Sequence, residues 1–177
     1  MQPCDAPLEQ LLLHAEVIEH ITEHMYGCLP QEACGVLIGH SRAASRTLTV
    51  TQFIPVKNTA ESPLHSFHLD PVHWTRLALT EKELVGLFHS HPHTSPEPSR
   101  EDMLQLPSFG GLLQVYAIAR PTVSVASGNH SLQLHTYKIT RGKTRLESPD
   151  PCKVNTLAQH NAESYDLAPI PFDIQEG

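Results

Sequence analysis

The chain has 177 residues, long enough for one domain to bury a core without disulfide staples. Forty per cent of them are apolar and 18% charged, an ordinary balance for a globular protein. The formal charge of -7 argues against a general nucleic-acid binder and favours, if anything, a protein partner with a basic contact patch.

Residues 8–26 begin as a short apolar run and then change to helical spacing, with Val17, Ile18, Ile21 and Met25 recurring every three or four positions. Gly27 and Pro30 end that helix. CGVLIGH at 34–40 reads as a buried strand, and 46–56 as a second one. Asp70 and Pro71 mark a helix start, as cap and first residue, and the helix is expected to carry Trp74, Leu77 and Leu79 to the core. A strand at 83–91 follows, and Ser99 caps a short helix with Asp102 at its third position. Strands are expected at 113–119, 121–127 and 131–139. Beyond residue 140 the pattern dissolves, so 8–140 is read as the domain and 141–177 as a tail, extended or disordered, whose LAPIPF segment could dock on the body. Helices mixed with strands, and strands in succession later on, give an α/β or α+β class with one central sheet.

The four cysteines, Cys4, Cys28, Cys34 and Cys152, form no CxxC pair, which suggests neither a zinc knot nor a disulfide framework. No apolar segment approaches the roughly 20 residues that span a bilayer, and no signal peptide is visible. A cytoplasmic setting without membrane contact is expected. Thirteen histidines raise the prospect of a metal site, although one zinc takes only three or four protein ligands.

The stretch 88-FHSHPHTSPEPSRED-102 concentrates that prospect. Residues two apart on a strand share a face, so His89 and His91 present two imidazoles to one side while Ser90 points to the other. Asp102 can supply a carboxylate from the first turn of the following helix. Two imidazoles and a carboxylate leave a fourth tetrahedral position open, which is the layout of a catalytic zinc rather than a closed structural one. Zinc lowers the pKa of bound water from about 15.7 towards about 7, and a carboxylate must still move the proton. Glu97 and Glu101 lie in an exposed, proline-rich run. Glu32, just before the strand 34–40, is better placed to be held beside the metal and partly desolvated.

Glu32, His89-Ser90-His91, Ser99 and Asp102 together resemble the JAMM (MPN+) metalloprotease signature, E…H-S-H-P-x(6)-S-x(2)-D. The flanks 30-PQEACGVLIG-39, 85-VGLFHSHP-92 and 56-VKNTAESPLHSFHLDP-71 are similar to those of compact prokaryotic members. The resemblance implies an MPN/JAMM fold, cytidine-deaminase-like, with a mixed central sheet flanked by helices. It implies a metallopeptidase or isopeptidase with one Zn2+ per chain, held by His89, His91 and Asp102. Glu32 would act as general base and acid, and Ser99 would donate a hydrogen bond to the oxyanion. The implied substrate is a ubiquitin-like or sulfur-carrier protein, cut after a C-terminal Gly-Gly. A homodimer is compatible with all of this. Two other readings remain open: a non-catalytic MPN scaffold that binds a protein partner, and a zinc amidase acting on a small molecule.

Around this set, Cys34 reads as a small buried residue, Trp74 as core and Asn58 as a turn residue. His93 is read as solvent-facing, and His65, His68 and His73 as surface histidines with the option of lining a groove.

Overall fold

The computed structural model describes residues 7–41, 45–109, 111–123, 130–143 and 163–176. The opening apolar run is strand β1 (Gln10–His14), with Leu11 and Leu13 turned inward. The change of period then starts helix α1 (Ala15–Cys28), which buries Val17, Ile21 and Met25 along one side. Strands β2 (Cys34–Ser41) and β3 (Thr47–Val56) follow, then helix α2 (Pro71–Thr80), strand β4 (Leu84–Ser90) and helix α3 (Arg100–Gln105). A 3-10 turn (Leu106–Phe109) leads to β5 (Val115–Val123) and β6 (His130–Lys143), and β7 (Glu163–Pro169) and β8 (Phe172–Gln175) close the described chain.

All eight strands form one sheet in the order β7-β6-β5-β4-β2-β3-β1-β8. Pairing is parallel between β1 and β3, β1 and β8, and β4 and β5, and antiparallel elsewhere. The fold is therefore a mixed α+β sheet, as expected, with helices on both faces. Beneath α1 lie Leu37, Phe88, Ala117 and Leu134. On the other face, α2 packs Leu77 and Trp74 against Val36 and Ile38, while Phe67, Leu106 and Phe109 cover Cys34, Leu87, Tyr116 and Ile118. Gly86 lets β4 approach β5 closely: a Cβ there would lie 2.5 Å from Val115 Cγ2 and 2.9 Å from its carbonyl oxygen.

Two expectations are corrected. Leu79 is 81% exposed, because it stands two residues from Leu77, about 200° around a helix that turns about 100° per residue. Trp74 and Leu77, three apart, do share the inner face. Pro121 does not break the chain into two strands: β5 is continuous through it and pairs Pro121 with Leu132. The β4 partners of β5 end at Ala119, so on that side the missing N–H costs no ladder bond. Residues 124–127 of the expected second strand lie outside the described residues.

Of the stretch 141–177, residues 144–162 lie outside the described residues, and β7 and β8 occupy opposite ends of the sheet. The LAPIPF segment crosses between them. Ile170 is buried and bonds Thr136 twice: its N–H reaches the Thr136 carbonyl at 3.0 Å, and the Thr136 hydroxyl donates back at 2.7 Å. No described helix is long and apolar enough to cross a membrane.

Candidate active site

The candidate site forms where β4 runs out of the sheet. Cys34 faces His89 across the β2–β4 ladder, and His89 faces Ile118 on β5. His89 is fully buried, with its ring edge-on to Tyr116 and stacked on Phe67 at a centroid distance of 4.4 Å. His91 lies just past the strand, where its N–H donates to the Ala119 carbonyl at 2.7 Å. Its ring Nδ1 meets the Ser95 carbonyl at 2.8 Å, which turns Nε2 inward.

Asp102 returns from α3 through a capping box. Its N–H donates to Ser99 Oγ at 3.1 Å, and its Oδ2 accepts from the Ser99 N–H at 2.7 Å. The same carboxylate sets Oδ1 3.2 Å from His89 Nε2 and Oδ2 3.4 Å from His91 Nε2. The two Nε2 atoms are 2.9 Å apart.

These distances provide a test of fit for a metal. Ligand atoms about 2.0–2.1 Å from a tetrahedral zinc sit about 3.3 Å from one another. The observed separations of 2.9, 3.2 and 3.4 Å bracket that value. Two imidazole nitrogens turned on each other beside a carboxylate also suit a shared cation better than one shared proton. The group His89, His91 and Asp102 could hold a metal ion and is buried throughout.

Electrostatics agree with the geometry. Burial alone would raise the Asp102 carboxyl, but hydrogen bonding from His89 and His91 outweighs it and holds the group well below the usual carboxylate range. Burial lowers His89, against the pull of Asp102. In His91 burial also works downward, yet Asp102 and the Ser95 carbonyl leave the imidazole raised.

Glu32 stands at the rim of the same groove and is 6% exposed. Burial pushes its carboxyl up to about 7, helped by Asp102 and Glu101 and opposed by His91. A carboxyl in that range both takes and gives protons near neutral pH. Its position is fixed by neighbours. The Glu32 N–H donates to the Pro63 carbonyl at 2.7 Å. Ser90, pointing away from the histidines as its parity required, clamps the next residue: Ser90 Oγ accepts the Ala33 N–H at 2.9 Å, and the Ser90 N–H donates to the Ala33 carbonyl at 2.9 Å.

Five residues singled out in the sequence, Glu32, His89, His91, Ser99 and Asp102, thus come together. Glu32, His91, Ser99 and Asp102 line one groove with Leu64, Phe67 and His93. His65 and Glu101 also line it, so Glu101 is nearer the chemistry than its exposed run suggested, whereas His68 and Glu97 are exposed and do not. His73 lies in the first turn of α2, where its backbone N–H donates to the Asp70 carboxylate at 2.8 Å, and it does not line the groove. Cys34 is a buried thiol bonded to the Val56 carbonyl at 3.4 Å and pushed up to about 12 by burial, so it stays protonated.

Asn58 proved more than a turn residue. Its amide nitrogen donates to the carbonyls of Glu32 and Ser66, both at 3.0 Å, and its oxygen accepts from the N–H groups of Ala60 and His68, both at 3.0 Å. All its bonding capacity is spent inside the protein, tying the Glu32 segment to the 58–68 wall. Asn58→Ala is expected to cost about 2–3 kcal/mol of stability in urea denaturation, because four backbone groups lose their partner. Neither Asn58 nor Ser90 carried a signal of its tie to the Glu32 segment beyond strand parity, because Glu32 and Ala33 lie on a different segment.

Comparisons with known proteins follow the same lines. The family described as "Prokaryotic homologs of the JAB domain" matches residues 14–131. A desampylase of Haloferax volcanii is 36% identical over 109 residues, 59% of this chain and 73% of that protein. Tail tip assembly protein K of Escherichia phage N15 is 30% identical over 93 residues, 52% of this chain but only 35% of the phage protein. The solution structure of protein DSY2949 from Desulfitobacterium hafniense superposes with a TM-score of 0.58 at 20% identity, covering 94% of both chains, and shares the fold. The chain belongs to the prokaryotic JAB-domain family and is a JAMM-type hydrolase of the isopeptidase class.

Proposed function

We propose that the chain is a zinc-dependent isopeptidase or peptidase that hydrolyses the bond after the C-terminal Gly-Gly of a ubiquitin-like or sulfur-carrier protein. The observation that carries this reading is the groove in which Glu32, Ser99 and the buried His89–His91–Asp102 group converge. The desampylase relative supports the substrate class by its name.

His89 and His91, through Nε2, and Asp102, through its carboxylate, would hold one zinc. A zinc there supplies Lewis acidity that brings the pKa of water from about 15.7 towards about 7. Glu32 accepts the proton of the attacking water and delivers it to the leaving amine, a task suited to a carboxyl raised to about 7. Ser99 Oγ already accepts the Asp102 N–H, so its own proton is free to donate to the oxygen of the scissile carbonyl as charge develops there. Leu64, Phe67 and Pro92 to Thr94 line the groove. Glycines without side chains suit such a passage. Cytoplasmic residence belongs to the same proposal.

The test offers the zinc-loaded protein two fusions of a ubiquitin-like domain ending in Gly-Gly, one linked to an N-terminus and one to a lysine side chain, with mass spectrometry of the products. Cleavage after the second glycine, abolished by a chelator and restored by zinc, is expected. Capture of the fusion without cleavage would favour a scaffold. Turnover of a small amide with no protein tail cut would favour an amidase.

A further inference from the structure

Buried polar atoms are normally hydrogen-bonded, and among the described residues two side-chain atoms in the interior are not: His89 Nδ1 and Tyr116 Oη. They belong to neighbouring rings. Tyr116 on β5 pairs with Leu87, two residues before His89 on β4, so both side chains rise from the same sheet face. The rings meet edge to face with centroids 5.4 Å apart. Both residues are fully buried, and Phe67 closes the other side of the imidazole.

The tautomer of His89 follows from its other nitrogen. Nε2 is turned to His91 Nε2 and Asp102, and as a metal ligand it must carry a lone pair, which leaves the proton on Nδ1. His91 has an outer partner for its Nδ1 in the Ser95 carbonyl, at 2.8 Å. His89 has no such protein partner at hydrogen-bond distance, yet a metal-binding histidine commonly relies on one to fix its ring. The Tyr116 hydroxyl can accept this bond and donate another, and one buried solvent molecule between two such atoms satisfies both.

We propose that Tyr116 is the positioning residue for His89, its hydroxyl holding the Nδ1 proton through one buried solvent molecule and so fixing the ring for zinc. The inference rests on the metal-binding role proposed above for His89. The experiment is chelator competition for zinc by the full-length wild type and by Tyr116→Phe, which removes one oxygen and no packing atom, together with 15N spectra of the histidine rings. Tyr116→Phe is expected to bind zinc about 10–100-fold more weakly, and its His89 Nδ1 proton to exchange with solvent faster than that of the wild type. A wild type that takes up no zinc overturns this inference and the proposed function together. A wild type that binds zinc, with Tyr116→Phe binding as tightly, overturns this inference alone. Should the variant fail to fold, the zinc-loaded wild type decides by itself: a protected His89 Nδ1 proton supports the bond, and a freely exchanging one overturns it.

Discussion

Glu32→Gln is expected to lower kcat for Gly-Gly cleavage by about 10²–10⁴-fold while zinc content and KM stay close to wild type. The amide keeps the size and hydrogen-bonding reach of the carboxylate but cannot accept a proton. The groove and the His89–His91–Asp102 group are untouched, so the loss falls on the chemical step. The same substitution has a second expected result, of opposite sign, in the metal-free protein. Burial raises the Glu32 carboxyl from 4.5 to about 7 in the folded state, so between those values the folded chain holds a proton that the unfolded chain has released. Stability is then unpenalised below pH 4.5, falls as pH rises through that window, and carries the full penalty above about 7. Allowing for the solvent that reaches the carboxyl, the penalty is on the order of 1–2 kcal/mol. Urea denaturation of chelated protein at pH 5 and pH 8 should therefore show Glu32→Gln more stable than wild type at pH 8 and similar to it at pH 5. A mutant that loses activity and gains stability separates a buried working carboxyl from a structural one.

What was legible in the sequence was what local spacing controls. The alternation at His89 and His91 put both imidazoles on one face and Ser90 on the other, and the capping pattern of Ser99 and Asp102 is present in full. Asp70 caps α2 as its place before Pro71 implied. The structure departs from the sequence reading where spacing misleads: Leu79 lies on the opposite side of the helix from Leu77, and the strand expected to end at 119 runs on through Pro121 to Val123. Illegible were the groups whose partners are far along the chain. Nothing near Asn58 announces that it bonds the carbonyl of Glu32, and nothing near Phe67 announces that its ring stacks on His89. Glu32 itself could be singled out only by its place before a buried strand and by family likeness. What holds its segment at that place is the Ser90 clamp on Ala33, 57 residues away in sequence.

Asp102→Asn is expected to abolish zinc-linked stabilisation and cleavage together while leaving α3 formed. The two jobs of this side chain use the carboxylate differently. Toward Ser99 it accepts one N–H bond through Oδ2 at 2.7 Å, which an amide oxygen can reproduce, so the helix start survives. Toward the histidines it sets Oδ1 3.2 Å from His89 Nε2 and Oδ2 3.4 Å from His91 Nε2, and there the amide puts an N–H group in place of Oδ1 and brings no charge to the cation. Loss of one of three ligands, and that the anionic one, removes the charge that balances the metal. In wild type, zinc at about 1,000 times its Kd should add about 4 kcal/mol to the unfolding free energy, read as a rise in Tm that a chelator reverses. In Asp102→Asn the Tm should not respond to zinc at the same concentration, and cleavage should fall to background. The metal-free variant should also lack a stability component of the wild type. The Asp102 carboxyl is held below its ordinary pKa by the histidines, so its contribution is present above the ordinary carboxylate range and is lost as pH falls through the folded value. A zinc-dependent rise in Tm that persists in Asp102→Asn would show that the metal is held elsewhere, and the three-ligand assignment would fall with it.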